Sequence, residues 1–350
     1  MAVLVKSKMP IEMPNPIASA LQDEVPNMTP SVASVELPSR FESSPAPLAA
    51  PPGDETLYLI GRPTLKQFLR FVRTHAVDSP GTGVLADEWR AANDLVRTLE
   101  IREAGLADDP PIRKIGPEHE PFLIEFLKDP LVRHGFNTVP TEIAFVELDR
   151  LAVYQKHIDL TFTRQLENKL GSSLTEESVF RACLPYHHPQ PPVKWSRIRR
   201  DRFVFMSPSN DLRFLGAMPL QPNHIKDYPP PGDLVGIVGI GVGFGSNFMN
   251  AIYTEKRLIL NNGSHRAFVL RKLGVTHVPC IIQHVSSRAE LDVIAASEVS
   301  EDPDLYLKNP RPPMLRDYFN PKLYKILPVL RRLRQVTVKF EVDETFVPAF

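Results

Sequence analysis

Arg257-Leu258-Ile259-Leu260-Asn261-Asn262-Gly263-Ser264-His265-Arg266-Ala267-Phe268-Val269-Leu270-Arg271-Lys272-Leu273-Gly274-Val275-Thr276-His277-Val278-Pro279-Cys280-Ile281-Ile282 predicts a strand, a tight polar turn, a helix and a second strand. Leu258-Ile259-Leu260 is the short apolar run of a buried strand. Asn262-Gly263 supplies the turn, because asparagine and glycine tolerate positive φ at little cost. Ser264 is placed to cap the helix, Ala267, Leu270 and Leu273 recur three apart along it, and Gly274 stands where helices stop. Val278 to Ile282 is the returning strand.

A helix that begins directly after a strand and a glycine aims free backbone N–H groups and its positive dipole end at the turn. Such a start suits an anion. His265 and Arg266 in the first helical turn add donors, and arginine can grip a phosphate with two bonds at once. The plainer alternative is that Gly263 only makes a turn while His265 and Arg266 are solvated or paired with a carboxylate.

The run Asn262-Gly263-Ser264-His265-Arg266-Ala267, continued by Leu270-Arg271-Lys272-Leu273-Gly274-Val275 and Val278-Pro279-Cys280-Ile281-Ile282, resembles the signature of the ParB/sulfiredoxin-like superfamily. There a G-x-H-R or G-x-R-R box opens the helix and contacts a nucleotide's phosphates. The resemblance covers roughly residues 141 to 290, with an insertion, and is specific around 258 to 283. It implies a nucleoside triphosphate with magnesium held at Asn262, Gly263, Ser264, His265 and Arg266. The strand Ile143 to Leu148 and the loop after it are similar to the opening of the same domain, whose early loop carries a glutamine, which makes Gln155 a further nucleotide contact.

Two enzymatic branches of that superfamily differ from this chain. Sulfiredoxins use a cysteine in the box, and here Ser264 stands in its place, a hydroxyl with no evident base beside it. The free-serine kinases use an early-loop glutamate as base, whereas this loop reads Tyr154-Gln155, and an amide cannot accept the proton. Glu147 or Asp159 would serve only if the fold brought one near. The catalytic residues are therefore unknown. Two readings of function follow: a nucleotide hydrolase or small-molecule kinase, or a non-enzymatic module in which a nucleotide gates contact with DNA or a protein.

Composition limits the alternatives. The 350 residues carry 41 Lys plus Arg and 41 Asp plus Glu, so no global field draws the chain to nucleic acid or membrane. DNA is not the favoured partner, and no helix-turn-helix follows residue 300. The two cysteines, Cys183 and Cys280, are too few for a disulfide framework, and no apolar run reaches the ~20 residues of a membrane span, so a cytoplasmic protein is expected. No metal site is read: Cys183, His187 and His188 lack the second ligand pair that zinc requires.

The expected fold class is α+β, a ParB/sulfiredoxin-like mixed-sheet domain with an insertion, after a small helical domain and a disordered tail. Residues 1 to 54 are proline-rich and without periodicity, hence disordered. Residues 55 to 138 read as a helical subdomain, opened by the Thr64/Gln67 capping box. The main domain spans 139 to 300, with a proline-rich insertion at about 172 to 232. That insertion holds a basic patch around Trp195 and an expected hairpin of 203 to 206 with 212 to 215. The glycines of 236 to 245 alternate with Val, Ile and Phe, the period of a strand and not of a dinucleotide loop, and Gly243, Gly245, Ser246 and Asn247 could border a ligand. Residues 301 to 350 form a C-terminal extension ending in a strand.

Overall fold

The computed structural model describes residues 53–171, 173–221 and 232–349. Of the N-terminal tail read as disordered, residues 1–52 lie outside them, as does part of the insertion, while Asp54 at its end opens the first strand. The first third runs β1 (Asp54–Leu59), α1 (Leu65–His75), α2 (Thr82–Arg102), β2 (Ile112–Lys114), α3 (Glu120–Phe126) and α4 (Pro130–Gly135). There follow β3 (Thr141–Glu147), β4 (Ala152–Val153), β5 (His157–Asp159), α5 (Leu160–Leu170), α6 (Glu176–Cys183), β6 (Lys194–Arg199), β7 (Arg202–Ser207), β8 (Leu212–Leu220) and β9 (Ile237–Phe244). The rest is β10 (Asn250–Thr254), β11 (Arg257–Asn262), α7 (Ser264–Lys272), β12 (His277–His284), α8 (Arg288–Ile294), α9 (Ser297–Glu301), α10 (Pro303–Leu307), β13 (Tyr324–Val329) and β14 (Arg334–Lys339).

The protein is of mixed α+β class. Its central sheet has six strands in the order β2-β3-β12-β10-β11-β4. β10 and β11 form the expected hairpin, turning at Glu255 and Lys256, both with positive φ. β12 returns beside β10, parallel to it, and not beside β11. Alternation along these strands divides the sheet's two faces. Ala251, Leu258 and Leu260 join the main core with Ala267 and Leu270 of α7, while Ile252 and Ile259 pack with Leu291, Val299 and Tyr306 from α8 to α10. Covered on both sides, β11 must be apolar at successive positions, which is why Leu258-Ile259-Leu260 runs unbroken.

α7 is buried nearly all round, with Ala267, Val269 and Leu270 fully enclosed. It ends as expected. Gly274, at φ +88°, donates to the Arg271 carbonyl, and Val275 donates back to Leu270, so the last carbonyls are satisfied by a left-handed residue.

Three expectations change here. The segment 55 to 138 is not a separate helical unit: β1 is the middle strand of a sheet β13-β1-β5, between the penultimate strand of the chain and the strand that leads into α5. Leu57, Leu59 and Phe126 belong to the main core, while Tyr58, Ile60 and Phe68 join Leu327 and Val329 of β13 under α1 and α2. The C-terminal stretch is likewise integral, with Arg311 and Tyr318 almost wholly buried. Finally, the described residues 173–221 of the insertion form α6 and the strands β6 to β8, paired otherwise than expected. Thr175 caps α6 through a reciprocal bond with Ser178, a box whose short N3 serine gave little sequence signal. The hairpin of 203 to 206 with 212 to 215 does not form: β7 lies between β6 and β14, and β8 pairs with β9 instead.

Candidate functional site

The turn between β11 and α7 is the centre of the candidate site. Gly263 has φ +103° and ψ 16°, a left-handed conformation, and a Cβ there would sit 3.3 Å from Met249 Cγ. Both facts favour glycine. Gly263, not Ser264, is the residue that caps α7, and no side chain bonds to the helix start. Among the described residues the amide hydrogens of Ser264, His265 and Arg266 find no acceptor; the first amide of the helix to be taken is that of Ala267, by the Gly263 carbonyl.

Two loops and the start of α5 converge on this turn. The Tyr154 hydroxyl donates to the Asn261 carbonyl at 2.9 Å, which brings the Gln155 loop alongside. Gln155 itself is half-buried; its carbonyl accepts from the Tyr318 hydroxyl, and its side-chain amide has no partner among the described residues. Asn262 Nδ2 donates to the Ser246 carbonyl at 2.8 Å, placing the glycine-rich 243 to 247 stretch at the same corner. The Asp159 amide, at the mouth of α5, donates to His265 Nε2 at 3.0 Å. The residues singled out from sequence are thus brought together.

Their chemistry differs from expectation at two points. Because a backbone N–H donates to His265 Nε2, that nitrogen carries a lone pair and the ring proton sits on Nδ1. Burial, with the charges of His157 and Arg266, pushes the pKa of His265 down to about 4. At neutral pH it is an uncharged donor and not a cation. Arg266, 9% exposed, does not reach out as a free fork: its Nη1 donates to the carbonyls of Ala182 (3.1 Å), Cys183 (3.2 Å) and Asn247 (2.7 Å). The first two close α6, where the dipole's negative end favours a cation.

Yet Arg266 has no carboxylate within ion-pair distance among the described residues, and its Nε and Nη2 have no acceptor there. A buried guanidinium bonded to neutral carbonyls, with Asp211 acting on it from beyond ion-pair distance, is an incompletely compensated charge, and burial lowers its pKa. Beside it, Ser264 is 5% exposed, and its hydroxyl has no partner among the described residues. Asn250, the register partner of Asn262, is buried with Oδ1 unsatisfied. Sequence reasoning missed Asn250, although a polar residue inside Phe248-Met249-Asn250-Ala251-Ile252 was the available signal.

Of the acids considered, Asp159 is bonded into the site through its amide, while its Oδ1 caps α5. Glu147 is three strand positions from β11 and faces His277, near the far end of α7. Cys183 and Cys280 are both buried, and burial lifts the Cys183 thiol to about 12, so neither is a ready nucleophile. His188 bonds Asp129, and among the described residues no group of His, Cys, Asp and Glu is arranged for a metal. Two hollows of about 290 and 310 Å³ lie elsewhere, lined respectively by Arg271, Arg311 and Phe319 and by Leu57, Phe268 and Tyr318.

Fold and site together define an α+β protein with a mixed sheet and an uncapped, arginine-backed helix start at the end of its strand β11. No family model matches the chain, and no curated protein and no solved structure matches it. Among the described residues no helix is long and apolar enough to cross a membrane.

Proposed function

We propose that this protein binds the phosphates of a nucleoside triphosphate at the Gly263 turn, in the manner that its resemblance to the ParB/sulfiredoxin-like superfamily implies. One observation carries the reading: among the described residues Arg266 is buried with no carboxylate within ion-pair distance, Asp211 acting on it only from farther off, next to a helix start whose first amides have no acceptor there. A phosphate seated on those amides would supply the missing negative charge. Arg266 then acts as a fixed field behind the ligand, and the neutral His265 donates from Nδ1. Gln155, whose side-chain amide has no partner among the described residues, is the side chain free to turn toward the nucleotide. Magnesium would arrive on the nucleotide's phosphates, since the turn offers few carboxylates, with Asp159 the acid bonded into the site.

Whether phosphate is released or transferred turns on Asp159. It is the candidate base for hydrolysis or transfer to a small molecule; a nucleotide-gated binding module in the cytoplasm is the second reading, supported by the amide of Gln155 standing where a kinase of this class has its glutamate. Titrating the purified protein with ATP, CTP and GTP plus magnesium, while following melting temperature and phosphate release, tests both. Binding at [L] near 100 Kd adds about 2.7 kcal/mol to stability. Binding with turnover that Asp159→Asn abolishes supports the enzyme, and binding without turnover supports the switch. If no nucleotide and no pyrophosphate stabilises the protein, the site assignment is lost.

A further inference from the structure

The second feature is the three-stranded sheet β14-β7-β6, which shares no residue with the Gly263 turn. Its two edge strands and their flanks are strongly basic. Residues 194–202 carry Lys194, Arg197, Arg199, Arg200 and Arg202 against Asp201; residues 331–341 carry Arg331, Arg332, Arg334 and Lys339 against Glu341. Nine cations against two carboxylates is a surplus of seven in a chain whose net charge is zero. Among the described residues none of the nine forms an ion pair, whereas Arg213 nearby does so with Asp211. The bonds they make go to carbonyls, as from Arg197 to Arg200 and from Arg334 to Leu212.

Edge strands often carry lysine and arginine to prevent sheet-to-sheet pairing. That accounts for charge on β6 and β14 but not for the rings between them. Register places Trp195, Phe205 and Val336 in one row, and Arg197, Phe203 and Val338 in the next on the same face. Trp195 is 65% exposed and Phe340 40% exposed. The Trp195 and Phe205 rings lie at 24° with centroids 6.3 Å apart, and Phe203 and Phe340 lie at 24° and 6.4 Å. The Arg197 guanidinium sits over the Phe203 ring at 5.6 Å. Flat apolar faces open to solvent, interleaved with unpaired guanidinium groups, match a strand of unpaired bases joined by phosphates. An intact duplex hides its base faces, and an acidic protein surface would use the charges but not the rings.

We propose that this sheet binds single-stranded nucleic acid, with bases stacking on Trp195 and Phe340 and phosphates running along the arginines of β6 and β14. The experiment is fluorescence anisotropy of the full chain with a labelled oligothymidylate of roughly 20 nucleotides, across a salt series, with tryptophan emission followed in parallel. Trp89, the other tryptophan, is half-buried and bonded to the Pro63 carbonyl, so stacking quenches Trp195. Trp195→Ala is expected to abolish the quench and weaken binding about tenfold. Arg199→Ala with Arg200→Ala is expected to reduce the slope of log K against log salt by roughly 1.4. All three residues are exposed, so circular dichroism should show the variants folded. The proposal is overturned if the oligomer does not bind, if a duplex of equal length binds as tightly, if Trp195→Ala binds like the parent, or if phosphatidylserine vesicles displace the oligomer.

Discussion

The Asp159 amide donates to His265 Nε2 at 3.0 Å, tying the start of α5 to the start of α7. This bond requires an unprotonated Nε2. With a folded pKa of about 4 against an ordinary 6.5, His265 leaves the unfolded chain holding more protons between those values. Stability is therefore full above pH ~6.5 and is lost as pH falls toward ~4, by roughly 3 kcal/mol. His157, held below its usual value by burial and by nearby His75, acts with the same sign. Urea midpoints measured across this window should fall on acidification, and His265→Asn should flatten part of the slope. An unchanged slope in the variant refutes the buried, neutral imidazole.

Arg266 and Gln155 separate structural from ligand roles. Removing the Arg266 guanidinium strands carbonyls at Ala182, Cys183 and Asn247, and Arg266→Ala should cost roughly 3 kcal/mol or more. Lost nucleotide binding in that variant is thus ambiguous. Gln155→Ala breaks no side-chain bond and should change stability by less than about 0.5 kcal/mol. If Gln155 touches the nucleotide, the same variant binds more weakly by roughly tenfold, about the worth of one hydrogen bond. Calorimetric titration and thermal melts on both variants decide this; equal affinity in Gln155→Ala removes it from the site.

Arg311 is 2% exposed and its guanidinium meets Asp317 at 2.6 and 2.5 Å and Glu103 at 3.1 Å. Glu103 follows α2 and Asp317 precedes β13, so the cluster fastens the N-terminal segment to the C-terminal one. Neutralising one partner of a buried pair leaves the other uncompensated. Asp317→Asn should lower stability by about 3–5 kcal/mol, read from denaturant unfolding. A loss below about 1 kcal/mol would show that the two segments are held by their apolar contacts alone.

Cys183 and Cys280 should resist a thiol reagent at pH 8 for as long as the protein stays folded. Both are fully enclosed, and burial raises each thiol's pKa, that of Cys183 to about 12. Two equivalents of thiol should appear only on unfolding. Rapid labelling of either in the native protein contradicts the packing of α6 against β12.

Local pattern made much of this protein legible. The glycine turn, the strand before it, the helix and its left-handed stop all follow from short-range rules, and so did the Thr64/Gln67 box at α1, which forms as read. Pairing partners were not legible. Phe203-Val204-Phe205-Met206 and Leu212-Arg213-Phe214-Leu215 look like a hairpin because they are close in sequence, yet Val204 faces Thr337 and Leu212 faces Phe244. Alternation says that a segment is a strand and says nothing of its neighbour.

By itself, the sequence determined where the chain turns, because glycine's freedom at positive φ and the period of apolar residues are properties of a few adjacent residues. Only the tertiary structure decided what Arg266 does. Its charge is equally suited to solvent, to a carboxylate or to a phosphate, and the choice depends on which distant carbonyls, here those ending α6 and preceding β10, close around it. Burial, a property of the assembled fold, also set the protonation of His265.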